Sequence, residues 1–160
     1  MVVLSLWSIW VIEALVPSNE LVAQKIHRVF QRSYQVEAQL IGVSDFPPLQ
    51  RSIEDFTHST TLFFGFIENK GLAAVIEVSF ANKHLAIESL VVDPDHFRKG
   101  IAGKLLTFIL KHDNYHTASV ETAVVNVPAI TLYQKYGFVV QECFTPSHGI
   151  EKVSMALARP

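Results

Sequence analysis

Residues 91–106 place an apolar strand, a short basic turn with two glycines and an amphipathic helix directly after one another. Glycine lets a backbone approach a ligand with no Cβ in the way. The first amide groups of a helix have no partner within the helix, and they converge on whatever lies beside that end. Three cations lie in and beside this turn: Arg98, Lys99 and Lys104. The junction therefore predicts a binding site for phosphate groups.

Hydrophobic periodicity along the rest of the chain predicts a series of strands and helices on both sides of this junction. Apolar residues recur at helical spacing after Ser18 and after Gly100, and β-branched and aromatic runs flank a turn at 68–71. The predicted elements are a strand within 1–17, a helix from 18, a loop over 39–49, a short helix over 52–58, strands over 60–67, 72–80 and 84–92, a helix after 100, a strand over 117–123, a helix over 126–136, and strands over 138–144 and 150–156. We expect an α/β (α+β) fold, with a mixed, mostly antiparallel sheet of six or seven strands and helices on both faces.

The size and charge of the chain narrow its partners. At 160 residues it fits one domain, over residues 1–160. Its formal net charge of −2 gives no general attraction for nucleic acid, so we expect no nucleic-acid partner. Cys143 is the only cysteine, which excludes an intramolecular disulfide and favours a cytoplasmic location. The seven histidines lack a zinc-binding pattern, so we expect no metal.

The apolar first 17 residues allow two interpretations. Glu13 interrupts them, and they fall short of the roughly 20 residues that cross a bilayer, so we expect no membrane span. The first interpretation is a buried first strand. The second is a peripheral or partner-binding segment, which includes a homodimer contact.

Two segments together resemble the GNAT superfamily of acetyl-CoA-dependent N-acetyltransferases. The first runs from Val92 into Gly100-Ile101-Ala102 and is similar to the family's pyrophosphate motif, Arg/Gln-x-x-Gly-x-Gly/Ala. The second, residues 126–138, is similar to the family's Asn-x-x-Ala-x-x-Leu-Tyr-x-x-x-Gly-Phe helix. Their order, with one helix and one strand between them, is a specific signal over about residues 60–158.

The resemblance implies acetyl-CoA as the cosubstrate. Main-chain groups of the strand before the turn would align with the pantetheine arm, and the turn would hold the diphosphate. The residues implied for cofactor binding are Leu90, Val91, Val92, Arg98, Lys99, Gly100, Ile101, Ala102, Gly103, Lys104, Asn126 and Tyr133. For Asn126, capping of its helix is an equal alternative. Phe97 stands where the family usually has Arg or Gln, which leaves open which side chain reaches the phosphates.

Two side chains are candidates for proton transfer. The resemblance places Tyr133 near the cofactor sulfur, as general acid for the departing thiolate; the alternative is a packed core aromatic. Glu88 shares strand alternation with Leu90 and Val92, so we expect it on their face as the general base, directly or through water. A salt bridge would satisfy this carboxylate equally well. Glu77 on the adjacent strand is a weaker candidate.

The resemblance therefore predicts transfer of the acetyl group of acetyl-CoA to a primary amine, by direct attack in a ternary complex. The alternative is a non-catalytic acyl-CoA-binding regulatory module of the same fold. The segment 45–49, with Phe46 and two prolines, forms either a rigid wall of an acceptor pocket or a turn packed on the core. Nothing in the sequence chooses the amine.

Overall fold

The computed structural model describes residues 9–112 and 114–160. The elements in chain order are β1 (Trp10–Leu15), α1 (Glu20–Ile41), a 3-10 turn (Pro47–Gln50), α2 (Ile53–Thr57), β2 (Leu62–Glu68), β3 (Gly71–Ala81), β4 (His84–Val92), a second 3-10 turn (Pro94–His96), α3 (Ile101–Leu110), β5 (Thr117–Ala123), α4 (Val127–Lys135), β6 (Val139–Phe144) and β7 (Lys152–Ala158). The predicted mixed, mostly antiparallel sheet is confirmed, with seven strands.

The strands form one sheet in the order β1-β2-β3-β4-β5-β7-β6. Within it β4 and β5 pair in parallel, and the other neighbours pair antiparallel. A parallel pair needs a crossover, and α3 provides it, as the sequence predicted. The basic turn therefore lies at the end of β4, the strand at which pairing in the sheet changes from antiparallel to parallel.

The two parallel strands pair only at their beginnings. The ladder runs from His84 opposite Thr117 to Ile87 opposite Val120 and ends there. Both strands continue past that point, and β5 stays paired with β7 as far as Ala123. The result is a fork between β4 and β5, which leaves backbone groups of residues 88–92 without a neighbouring strand on the β5 side.

A β-bulge in β4 coincides with the start of the fork. Ser89 lies opposite Glu77 and Ile87 lies opposite Val78, so Glu88 is an extra residue in the ladder. A bulge bends its strand and increases the local twist, which accounts for the divergence of β4 from β5.

Helices cover both faces of the sheet. Helix α1 packs one buried face, which includes Ile26 and Phe30, together with α2 against β2, β3 and β4. Helices α3 and α4 contribute Leu105, Ile109 and Tyr133 to a second cluster on the opposite side. Helix α1 begins after Asn19, whose side chain accepts hydrogen bonds from two backbone amides, and not after Ser18 as the sequence suggested.

The first strand is partly different from the expectation. Residues 10–15 do form a strand, but it lies at an edge of the sheet, with 45% of Trp10 and 50% of Val11 exposed. The Trp10 ring stacks on Phe66 at 5.0 Å between centroids. The remainder of that prediction, residues 1–8, lies outside the described residues. Within the described part of the chain, no helix is long and apolar enough to cross a membrane.

Candidate functional site

A cavity of about 350 Å³ opens in the fork between β4 and β5. Its floor comes from residues 87–90 of β4 and 120–123 of β5. Its walls come from α1, the segment 46–48, the start of α4 and the segment 148–152. Elements from both halves of the chain thus enclose one site, of which the sequence predicted β4, α4 and, as one of two alternatives, the segment 45–49.

The N-terminus of α3 presents backbone amides that have no partner within the helix. Gly100 precedes it with φ of 72°, a left-handed conformation that favours glycine, and a Cβ there would meet open space. The first bond of the helix runs from the Lys104 amide to the Gly100 carbonyl at 3.2 Å, so the three preceding amides have no partner within the helix. No acidic side chain lies in the first turn. This end can therefore receive a diphosphate through its main chain.

Two of the three predicted cations are already in contact with other side chains of the protein. The Lys99 Nζ lies 3.5 Å from a carboxylate oxygen of Glu68, and the Lys104 Nζ lies 4.8 Å from the centre of the Trp10 ring. Phe97, at the position usual for Arg or Gln, is 42% exposed. Arg98 is exposed, with φ of 62°. The geometry thus favours backbone amides over side chains as the main ligands of a diphosphate.

A salt bridge anchors the turn before α3. The Arg32 Nε of α1 donates to the Asp93 Oδ2 at 2.9 Å, and the Asp93 Oδ1 accepts the Asp95 amide at 2.9 Å. Burial alone would raise the pKa of Asp93, but these hydrogen bonds and the Arg32 charge lower it instead. Asp93 therefore stays ionised and holds the turn against α1.

Gly103 has a packing role that the sequence did not indicate. A Cβ there would lie 2.8 Å from the Tyr136 hydroxyl, which donates to the Gly103 carbonyl at 2.7 Å. The missing side chain makes room for the end of α4 against α3. Gly100 remains the glycine whose conformation serves the turn.

Glu88 lines the cavity, but strand alternation did not place it correctly. Leu90 and Val92 pack with the cluster that contains α3, as does Val78. Glu88 instead accepts a hydrogen bond from Ser79, the neighbour of Val78 on the opposite face, at 2.7 Å. The bulge turns Glu88 onto the α1 side of the sheet, and there its exposed side chain borders the cavity.

The strand residues expected beside the pantetheine arm have their side chains committed to packing. Val91 is buried against α1, while Leu90 and Val92 pack on the other face. Ile101, at the start of α3, is also buried, and Ala102 is half-buried. At Leu90 and Val92, main-chain groups are therefore what β4 can offer to a ligand in the fork.

Tyr133 lies at the inner end of the cavity and is 5% exposed. Its ring packs edge-on against Phe138, with 5.7 Å between centroids. Burial raises the pKa of Tyr133 well above its usual value, and the nearby Tyr34 and Glu37 raise it further. The phenol therefore stays protonated and can donate a proton, but it is unsuited to accept one as a base.

Asn126 caps α4 and also reaches across to α1. Its Oδ1 accepts the Ala129 amide at 3.3 Å, and its Nδ2 donates to the Glu37 Oε1 at 3.1 Å. Capping thus accounts for one end of the side chain, and the other end positions a carboxylate in the cavity. Burial raises the pKa of Glu37 despite the hydrogen bond from Asn126.

Glu77 is engaged in a buried network and is a poor candidate for a base. It is 2% exposed, and its two oxygens accept from Arg51 at 2.7 and 2.8 Å. Thr61 and Ser89 donate to it as well, at 2.6 and 3.0 Å. Burial opposes ionisation, but these bonds and the Arg51 charge keep the pKa of Glu77 below its usual value. The network fixes Ser89, and with it the bulge.

Sequence reasoning missed the α1 wall of the cavity. Phe30, Tyr34 and Glu37 lie at i, i+4 and i+7 on the helix and all line the cavity. Burial raises the pKa of Tyr34 to about 12. The signal for this wall in the sequence is a carboxylate, Glu37, that continues the apolar stripe of the helix. Across the described ranges, no three His, Cys, Asp or Glu side chains are arranged to hold a metal.

Comparison with known proteins identifies a family and a relative of this chain. The model of the Acetyltransferase (GNAT) family matches residues 23–138. The chain is 35% identical over 140 residues to UPF0157 protein YqkA of Bacillus subtilis (strain 168), an alignment that covers 87% of this chain and 41% of that protein. The chain therefore spans less than half the length of this relative.

Solved structures share the fold. The ribosomal-protein-S18-alanine N-acetyltransferase from Escherichia coli superposes with a TM-score of 0.73 and 22% identity, covering 94% of each chain. The PaiA N-acetyltransferase from Thermoplasma acidophilum, in complex with coenzyme A, superposes with a TM-score of 0.76 and 18% identity, covering 94% of this chain and 99% of that one. Because the family model matches well over half of the sequence, this chain belongs to the GNAT family of acetyltransferases.

Proposed function

We propose that this protein transfers the acetyl group of acetyl-CoA to a primary amine by direct transfer in a ternary complex, within one domain over residues 1–160. The observation that carries the proposal is the fork between β4 and β5, which runs from the free amides of α3 to a cavity with a buried phenol. Acetyl-CoA supplies an activated thioester, whose acetyl carbon is open to attack by an amine.

The residues of the fork fit an acyl-CoA substrate. The amides between Gly100 and Lys104 donate hydrogen bonds to the diphosphate, and the left-handed Gly100 lets the backbone approach it. The Asp93 amide bonds to Ala73 of β3. By alternation the main-chain groups of Val91 also face β3, and those of Leu90 and Val92 face the side of β5. No strand pairs with Leu90 and Val92 there, and their main-chain groups can hydrogen-bond the pantetheine arm. The thioester end then points toward the cavity and Tyr133.

Two side chains, those of Glu88 and Tyr133, transfer protons in the proposed reaction. Glu88, directly or through a water, takes one proton from the acceptor's ammonium, which leaves a neutral amine to attack the acetyl carbon. The new C–N bond forms as the C–S bond breaks, and Tyr133 gives its proton to the departing thiolate. The amine nitrogen gives its second proton to the Tyr133 phenolate as the amide forms, and Glu88 releases its proton to solvent, so the protons balance.

A coupled assay tests this proposal. Free thiol released from acetyl-CoA is measured with a panel of amines: peptides with free N-termini, lysine, aminoglycosides and small alkyl amines. We expect thiol release that depends on both acetyl-CoA and an amine. Binding of acetyl-CoA without any transfer would contradict the proposal and favour the non-catalytic alternative.

The role of Glu88 is tested by Glu88→Gln, which should lower kcat about 100-fold, as is typical for loss of a general base. Glu142→Gln, an exposed glutamate of β6, is the matched control and should leave kcat unchanged. An unchanged kcat in Glu88→Gln would remove Glu88 from this role.

A further inference from the structure

Some carboxylates that line the cavity have no cation in contact with them among the residues that the structure describes. Arg51 is held by Glu77 at 2.7 Å, and Lys152 lies 3.2 Å from a carboxylate oxygen of Glu121. Two other cavity carboxylates, those of Glu37 and Glu88, accept hydrogen bonds from an amide and a hydroxyl and have no cation within 4 Å in the described part of the chain. The cavity therefore offers two sites for a cation and no unpaired lysine or arginine for an anion.

Glu37 is the more enclosed of these two carboxylates. It is half-buried in the last third of α1, and the Asn126 amide fixes its orientation. An amide brings no positive charge, and a partly desolvated carboxylate without a cation gains from a cationic ligand. Burial raises the pKa of Glu37, and the Asn126 hydrogen bond and the charge of Lys152 offset this rise only in part. Lys152 itself is in contact with Glu121 and not with Glu37.

The Tyr133 hydroxyl is open to the same cavity. The residue is 95% buried and lines the cavity, and its hydroxyl makes no hydrogen bond among residues 9–112 and 114–160. Since no fully buried side-chain nitrogen or oxygen in the described part of the chain lacks a partner, this hydroxyl must be accessible from the cavity, where a ligand can reach it. Glu37 lines the same cavity and interacts electrostatically with Tyr133, so a ligand that fills the cavity meets both groups.

The wall beside Glu37 is apolar and aromatic. The Tyr34 ring lies 5.8 Å from the Phe30 ring and 5.7 Å from the Phe46 ring, measured between centroids. Pro47 and Pro48 continue this wall and have no backbone N–H to offer an anion. Such a surface suits an alkyl chain or a cation packed on an aromatic face.

We propose that the acceptor is an alkyl amine of net positive charge, and that Glu37 is the specificity-determining residue that admits it and rejects amines carrying a carboxylate. This inference rests on the proposed acetyl transfer and narrows its substrate class. A carboxylate on the acceptor would meet Glu37 and Glu88 without a free cation to pair with, whereas a second ammonium would find a partner.

Three acceptors of matched length test the inference: 1,5-diaminopentane, pentylamine and 5-aminopentanoate. With acetyl-CoA as donor, we expect kcat/KM for the diamine to exceed that for the amino acid by about tenfold or more, with pentylamine between them. In Glu37→Gln the ratio of diamine to amino acid should fall about tenfold, while the Kd of acetyl-CoA stays unchanged. Glu142→Gln should keep the wild-type ratio.

A ratio taken within one variant cancels any loss of folded protein, so a purely structural role for Glu37 would not change it. Equal or better use of 5-aminopentanoate by the wild type, an unchanged ratio in Glu37→Gln, or transfer to none of the three amines would overturn the inference. The proposed function falls separately, if the wider amine panel gives no transfer or if acetyl-CoA does not bind.

Discussion

At the scale of single residues, burial decides what Tyr133 can do. Its raised pKa keeps the phenol protonated at neutral pH, and its position at the inner end of the cavity leaves the proton available to a leaving group. The same burial makes the Tyr133 phenolate costly, which in the proposed reaction favours its reprotonation after each transfer.

Tyr133→Phe should lower kcat by about 100-fold, the usual effect of losing a general acid. The ring packing against Phe138 is retained, so the Kd of acetyl-CoA and the thermal midpoint should change little. Steady-state kinetics and calorimetry on the same preparation check both points. A kcat equal to that of the wild type would leave Tyr133 as a core aromatic only.

Single residues also show where prediction from the sequence fails. Alternation places Glu88 with Leu90 and Val92, but one extra residue in the ladder reverses its direction, and nothing in the local sequence marks that bulge. Gly103 shows the same limit. Its need for a small residue arises from Tyr136, a contact that exists only once α3 and α4 are packed.

At the scale of elements, a buried ion pair joins the segment between α1 and α2 to the sheet. The Arg51 guanidinium binds both oxygens of Glu77 on β3 and lies 4.2 Å from the centre of the Phe56 ring on α2. Ser89 of β4 bonds the same carboxylate, so one charged group ties together α2, β3 and the bulge.

Glu77→Gln should lower the free energy of unfolding at neutral pH by about 3 kcal/mol, because it leaves Arg51 without its counterion. The folded state lowers the pKa of Glu77 from its ordinary value of 4.5, so its stabilisation is present above that value and is lost as the pH falls through the folded pKa. The difference in free energy of unfolding between the wild type and the variant should therefore become smaller below about pH 4.5.

Urea unfolding of both proteins between neutral and acidic pH gives this difference directly. Taking a difference removes the contribution of other carboxylates with lowered pKa, such as Asp93, because these are the same in both proteins. A difference that stayed constant across the acidic range would show that the charge of Glu77 does not stabilise the fold.

Elements were predictable where a local pattern defines them. The strand Thr117–Ala123 and the strand His84–Val92 have the predicted bounds, because a β-branched or apolar run between turns marks each one. Strand β1 was predicted as buried on hydrophobicity alone. Its place at the edge of the sheet follows from pairing with β2 and leaves Trp10 exposed, which no local signal indicates.

At the scale of the whole molecule, the turn before α3 can be predicted from the sequence, whereas most of the cavity between β4 and β5 cannot, apart from the segment 46–48. The basic turn and α3 are adjacent in sequence, so their chemistry can be read from one segment. The cavity combines Glu37, Glu121 and residues 148–152, which only the folded sheet and helices bring together. Long-range packing therefore decides which side chains line it.

The central claim is that main-chain amides at the start of α3 hold the diphosphate of an acyl-CoA in the fork. Calorimetric titration of the whole chain with pantetheine, 4′-phosphopantetheine and coenzyme A tests it most directly, because the series adds the phosphates in steps. The predicted result is a gain in affinity of about tenfold from pantetheine to 4′-phosphopantetheine and a further gain for coenzyme A. Equal affinities across the series, or no uptake of coenzyme A at millimolar concentration, would contradict the account.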